Sequence, residues 1–320
     1  MTGAGRAGRA HPARPEAVGT PAIGTTGTVI LSLMNPLGEF LRSRRGALRP
    51  LDAGLIRYGE RRRVPGLRRE ELAQLAGVSV SYYTRLEQGQ ANNVSDEVLH
   101  AIARALRLDG DEREHLFTLA RPGRDVPTRP GRATTDPPVL HQMLAMMPDV
   151  PAMVLTPATE VHTWNPLGHA LLAWHLDRAP NMSRAVFLDP RTRDLYADWP
   201  TKARSVVAYL RMATGRYPHD AQVVGLVEEL LSLCPEFTEM WAEHSVSTCE
   251  TMKLDLVHPV VGPLTVDQCT LRLEEDPALM LATFTVEAGS PSATALRMLA
   301  GLPRRPAAPM PVPRRGLTVR

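Results

Sequence analysis

The sequence predicts two domains, an all-α domain over residues 36–120 and an α+β domain over residues 139–302, and three observations carry that prediction. Short stretches of helical period follow one another through the first region. Residues 121–138 then gather Pro122, Pro127, Pro130, Pro137 and Pro138 among arginines and glycines, the composition of a linker. Beyond the linker, alternating stretches of strand type are mixed with helical ones. A chain of 320 residues has room for two ordinary domains.

Residues 1–35 are rich in glycine, alanine and proline and read as a disordered tail. The apolar run at Val29–Leu33 is short for a signal-peptide core and leads straight into an amphipathic pattern, so a cytoplasmic protein is expected. A start of translation at Met34 would remove this tail altogether. From Leu37 to Leu48, apolar residues at Leu37, Phe40, Leu41 and Leu48 alternate with arginines, the pattern of a first helix that Pro50 closes. Four more helices are expected at 69–76, 80–88, 96–106 and 111–120, with short separators between them, as in a compact helical domain.

In the second region the pattern predicts helices at 139–147, 166–175, 201–214, 221–233 and 236–243. It predicts strands at Ala152–Thr156, Glu160–Trp164, Thr251–Val257, Leu264–Leu273 and Leu279–Glu287, then a helix near Ala293–Ala300. Residues 303–320, rich in proline and arginine, read as a second disordered tail.

Charge divides along the same line. Residues 1–135 carry 21 arginines against 14 acids, whereas residues 136–303 carry 11 basic groups against 20 acids, within a net charge of +3. The first half suits a polyanion and the second does not. No stretch approaches the length of apolar sequence that spans a bilayer, so no membrane partner is expected. Cys234, Cys249 and Cys269 form no close pair and have no histidine at zinc spacing, which predicts reduced, structural thiols and no metal or cofactor.

The segment Arg69 to Gln88 has what two steeply crossed helices need. Ala73 is small at their closest approach, Gly77 can take positive φ in the turn, and Tyr83 and Leu86 are apolar where the second helix meets the core. Ser79 is placed to cap that second helix. The opposite face carries Val80, Ser81, Thr84 and Arg85 near the helix N-terminus, where they can enter a DNA major groove. Arg85 suits a guanine, Ser81 and Thr84 suit several bases, and Val80 suits a thymine methyl. Arg61, Arg62 and Arg63 upstream, with Arg68 and Arg69 at the opening of the first helix, suit clamping of phosphates.

Three segments carry a resemblance: Leu37-Gly-Glu-Phe-Leu-Arg-Ser-Arg-Arg45, Arg61-Arg-Arg-Val-Pro-Gly-Leu-Arg-Arg-Glu-Glu71, and Ala76-Gly-Val-Ser-Val-Ser-Tyr-Tyr-Thr-Arg-Leu-Glu-Gln-Gly89. With Phe187-Leu-Asp-Pro190, Gly215-Arg-Tyr-Pro218, Pro235-Glu-Phe237 with Trp241, His258-Pro-Val-Val-Gly262 and Gly289-Ser-Pro-Ser292, they resemble the MmyB-like group of XRE (Cro/C1-type) helix-turn-helix regulators over about residues 36–300. The resemblance implies a Cro/C1-type DNA-binding domain followed by a PAS-like domain that senses a small apolar molecule such as a fatty acid. Gln90-Ala-Asn-Asn-Val94 departs from the basic or proline-containing loop of relatives, which weakens the case for phosphate contacts there. Half-site logic makes a homodimer on double-stranded DNA the expected assembly.

Nothing in the second domain matches a catalytic motif: there is no GxSxG, P-loop or HExxH, and the histidines are scattered. The expectation is a regulator without enzymatic activity, the alternative being a DNA-binding domain fused to a protein-interaction or enzymatic module. Trp164, Phe187 and Met212 are apolar candidates to line a ligand pocket, with core packing as the competing role. Asn165 and Arg211 are candidates to hold a ligand carboxylate, though either can instead serve as a helix cap or in a surface ion pair.

Overall fold

A computed structural model describes residues 35–54, 65–90, 93–121, 138–176, 180–246, 251–273, 276 and 278–302. The arginines at 61–63, residues 122–137 of the linker, and residues 1–34 and 303–320 of the tails lie outside the described residues.

The N-terminal domain comprises α1 (Pro36–Ala47), α2 (Arg69–Ala76), α3 (Val80–Glu87), α4 (Asp96–Ala105) and α5 (Gly110–Ala120). Side-chain caps start most of them. Asn35 Oδ1 accepts the Gly38 N–H at 3.0 Å for α1, and Ser95 Oγ accepts that of Val98 at 3.4 Å for α4. Asp109 and Glu112 bond reciprocally to each other's backbone N–H, at 2.8 and 3.1 Å, to start α5. Each helix turns its apolar stripe inward, so that Phe40, Leu41, Leu72, Tyr83, Leu86, Leu99, Ile102 and Leu116 form one buried core. A fully buried side chain of this size stabilises the fold by about 1.5–3 kcal/mol relative to exposure.

The C-terminal domain begins with α6 (Pro138–Ala145), β1 (Ala152–Leu155) and β2 (Val161–Trp164). Helices α7 (Pro166–Leu172), α8 (Met182–Leu188), α9 (Pro190–Leu195), α10 (Trp199–Arg216), α11 (Ala221–Leu233) and α12 (Pro235–Ala242) follow. The chain then returns through β3 (Thr251–His258), β4 (Gly262–Arg272) and β5 (Met280–Thr285), and closes with α13 (Pro291–Gly301). The sheet is antiparallel, in the order β2-β1-β5-β4-β3, so the last strand lies at its centre. In the register, Met153 stands opposite Ala282, which on its other side stands opposite Thr270.

Strand alternation separates two layers. Met153, Ala282 and Phe284 face the main core with Val186, Phe237, Leu254 and Leu296. Ala152, Val154 and Leu281 face the other way, onto Leu140 and Leu144 of α6. All the expected strands and longer helices are present, while α8 and α9 lie where no helix was predicted. These two are seven and six residues long, and each is started by a single cap. Asn181 accepts from the Arg184 N–H at 3.0 Å and Asp189 from that of Thr192 at 3.0 Å. Helices of one or two turns have too few positions to show a 3.6-residue period.

The two domains are docked. Helix α5 packs on α10, and α1 meets the segment after α12 through Arg44 and Glu39 at His244, beyond which Val246 joins the N-terminal core. At Gly215 of α10, an added Cβ would lie 2.9 Å from His115 Cε1 and 2.9 Å from Leu119 Cδ2, so any larger residue requires those two side chains of α5 to shift.

Candidate nucleic-acid interface and ligand cavity

Helices α2 and α3 are joined by Gly77-Val78-Ser79. Gly77 has φ 68°, a left-handed conformation that glycine adopts without steric cost, and Val78 N–H bonds back to Ala73 O at 3.0 Å. Ser79 Oγ then accepts the Tyr82 N–H at 3.1 Å, so the residue expected to be a cap is one. The outward face of α3 presents exposed Val80, Ser81 and Arg85, with Thr84 half-buried. Its inward face is Tyr83, Leu86 and Glu87.

Glu87 is a functional residue of this domain that the motif alone does not single out. Its side chain is fully buried, yet it accepts Arg45 Nε at 2.6 Å and Arg69 Nε at 2.7 Å, which ties α1 and α2 to the end of α3. Burial alone would raise its pKa, but the bonds from Arg45 and Arg69 outweigh it and hold the carboxyl below its ordinary range. Asn35 Nδ2 donates to the Glu87 carbonyl at 3.0 Å, and a Cβ at Gly38 would fall 2.0 Å from that same oxygen. A glutamate spaced with Tyr83 and Leu86 on the apolar face was the available signal.

Arg69 has a second role besides the expected one: its Nε is engaged with Glu87, while its side chain remains 42% exposed. Arg68 stands just before α2, its backbone N–H donating to Glu71 Oε2 at 2.7 Å. Its side chain is half-buried. The expected clamp at Arg61, Arg62 and Arg63 lies outside the described residues.

In the C-terminal domain a cavity of about 90 Å³ lies between the sheet and helices α8 and α10. Met153, Met182, Val186, Met280 and Phe284 make its walls apolar, and Ser205, Tyr209, Gln268 and Thr270 add polar points. Among the described residues that line it, Lys202 is the only charged side chain; its Nζ donates to Gln268 Oε1 at 3.2 Å and lies 5.6 Å from the Tyr196 ring. Tyr209 donates its hydroxyl to Pro157 O at 3.1 Å and lies 3.5 Å from Met280 Sδ.

None of the five ligand residues expected from the sequence lines this cavity. Asn165 starts α7: its Oδ1 accepts from Gly168 N–H at 2.8 Å and Ala152 N–H at 3.1 Å, and its Nδ2 donates to Met147 O at 2.8 Å and Val150 O at 2.6 Å. Those four bonds fill the capacity of the amide. Phe187 is core, edge-on to Phe237 and Trp199. Trp164 packs against the core edge-on to His169. Met212 and Arg211 belong to the domain junction, on the α10 turn that meets the helical domain.

That junction concentrates charge. Arg44 of α1 bonds Glu112 at 2.5 Å and donates to the His244 carbonyl. Arg211, only 9% exposed, lies 4.1 Å over the Trp241 ring and donates to the Trp241 carbonyl. Arg216 reaches Glu114 at 3.5 Å, and His244 reaches Glu39 at 3.7 Å. Burial, assisted by the Arg211 and Arg44 cations, pushes the His115 pKa down to about 3 and that of His244 down to about 4. Burial and Arg44 likewise lower Arg211 to about 9. Nδ1 of both histidines and Nε of both arginines are buried without a hydrogen-bond partner.

A helix-turn-helix with an open recognition face, joined to a domain with an apolar cavity, defines a DNA-binding regulator that carries a ligand-binding domain. The chain belongs to the MmyB-like helix-turn-helix transcription regulators: a family model described as the MmyB-like transcription regulator ligand binding domain matches residues 137–299, and one described as a helix-turn-helix domain matches residues 36–116. A search of curated proteins returns no match. Among the described residues no helix is long and apolar enough to cross a membrane, and no three His, Cys, Asp or Glu side chains gather as a metal site.

Proposed function

We propose that the protein regulates transcription in the cytoplasm as a homodimer on a two-part DNA site. Val80, Ser81, Thr84 and Arg85 of α3 read base edges, and arginines near α2 hold the phosphates. The single observation that carries this reading is the division of α3 into a buried face and an exposed one, with Val80 and Ser81 at its capped N-terminus and Arg85 one turn on.

The C-terminal domain, in this reading, is a PAS-like sensor of a small apolar ligand such as a fatty acid. The sheet order, with helices inserted between the second and third strands, supports the fold assignment. An apolar cavity with one cation supports the ligand class, since a carboxylate suits Lys202 and an acyl chain suits the methionine walls. Such a ligand acts only through different affinity for two states of the protein.

Selection of bound fragments from random DNA, with and without dodecanoate, tests both parts. The expected result is a repeated half-site whose affinity shifts with the acid. Recovery of no enriched sequence would overturn the DNA assignment, and enrichment indifferent to every fatty acid would overturn the ligand assignment.

A further inference from the structure

Two hollows flank helix α10. The first is the ligand cavity; the second, about 30 Å³, lies in the cleft between the domains and is lined from α5 by Glu114, His115 and Thr118. Only Tyr209 and Met280 line both. On α10 the residues Lys202, Ser205, Val206 and Tyr209 line the first hollow, and Tyr209, Met212, Ala213 and Arg216 line the second. Their spacing of three and four makes one continuous stripe along the helix.

From these positions we infer that Tyr209 and Met280 form a movable partition, so that a ligand too long for the cavity passes into the cleft and pushes α5 away from α10. The inference rests on the apolar-ligand reading above and says how that ligand would be sensed. A cavity of about 90 Å³ is smaller than the roughly 150 Å³ apolar cavity known to take benzene, so uptake has to displace lining side chains. Met280, unbranched and packed against Tyr209, is suited to yield.

Lys202 and Tyr209 are two turns apart, about 10 Å along the helix axis. With a carboxylate at Lys202, octanoate ends near the partition and hexadecanoate extends past it. Beyond the partition there is the hollow of about 30 Å³, and next to it α5 and α10 pack closely at Gly215, where a Cβ would come 2.9 Å from His115 Cε1 and Leu119 Cδ2. A tail arriving there separates two packed helices, a discrete change of the kind that transmits a signal.

Hydrogen exchange on the full-length protein with octanoate, dodecanoate and hexadecanoate tests this. All three acids should slow exchange in α8, beside the cavity, while only the longest should speed exchange of the α5 amides, by about fivefold or more. Met280→Ala should lower the chain length that reaches α5, and Met280→Leu, which keeps the volume but is less compliant, should raise it. Hexadecanoate protection of α8 without any effect on α5, or a length threshold unmoved by both variants, overturns the partition and leaves the ligand assignment standing. If no acid alters α8 either, the ligand assignment falls and takes the partition with it.

Discussion

Glu87 and Arg45 are joined at 2.6 Å beneath the recognition helix, with the carboxylate wholly out of solvent. The exposed face of α3, proposed above to meet DNA, is thus held from behind by a buried charge that α1 and α2 neutralise together. Replacing Glu87 with Gln leaves Arg45 facing a neutral amide in a site built for an anion. The variant should lose about 3 kcal/mol at neutral pH, read from urea unfolding. Because the folded-state pKa of Glu87 is lowered, its stabilisation is full above the ordinary carboxylate range and is lost as pH falls through the lowered value. The difference between the two proteins should shrink in strong acid. A difference that is constant with pH would refute the assigned charge.

The domain junction predicts a second acid sensitivity, higher on the pH scale. Unfolded, His115 and His244 titrate near 6.5; in the docked protein they accept a proton only at about 3 and about 4. The unfolded chain binds protons first as pH falls, so stability present above 6.5 declines progressively below it. His115 alone should account for about 3 kcal/mol by pH 4. His115→Phe, which keeps a ring edge-on to Phe40, should flatten the dependence between pH 6 and pH 4. An unchanged slope would show that the junction does not hold His115 neutral.

On DNA, Arg85→Ala should relax the preference at one base position by about 1–3 kcal/mol. Arg62→Ala should instead weaken every sequence alike and reduce the salt slope by about one. Titration of a selected site and of scrambled DNA at several salt concentrations separates the two effects. If Arg85→Ala behaved like a phosphate-contact variant, α3 would be seated differently in the groove.

Ser79→Ala removes the hydroxyl that accepts the Tyr82 N–H and should cost about 1 kcal/mol of stability. Ser79→Asp keeps an acceptor there and should retain most of the thermal midpoint. Equal losses in the two variants would mean that the cap contributes through packing.

Much of this molecule can be read from its residues, and the boundary is informative. The helices around Gly77 and Ser79 are legible because a turn, a cap and an apolar period all occur within a few positions. β3 is legible through alternation, whereas β1 and β5, buried on both faces, are legible as short apolar runs. The partners of Arg211, Asn165 and Arg69 are illegible for a common reason: each lies far along the chain or depends on backbone geometry, although for Asn165 the helix-cap role is one of the alternatives its position offers. Arg211 meets Trp241, Arg69 meets Glu87, and Asn165 serves backbone groups from Met147 to Gly168. Residue type announces that such a side chain will be satisfied, not by what. Lys202 escaped notice because a single lysine on a helix ordinarily lies in solvent, and only the strands β4 and β5 across from it make it a wall of the cavity.

Position 215 gives these contacts an evolutionary reading. The smallest residue stands where α10 packs against α5, and one additional methyl group there would force the His115 and Leu119 side chains to shift, with no ligand bound. On the proposed mechanism, response strength can therefore drift through single replacements at this contact while α3 and the cavity stay untouched. In lineages that meet different effectors, threshold and recognition are free to evolve on separate clocks.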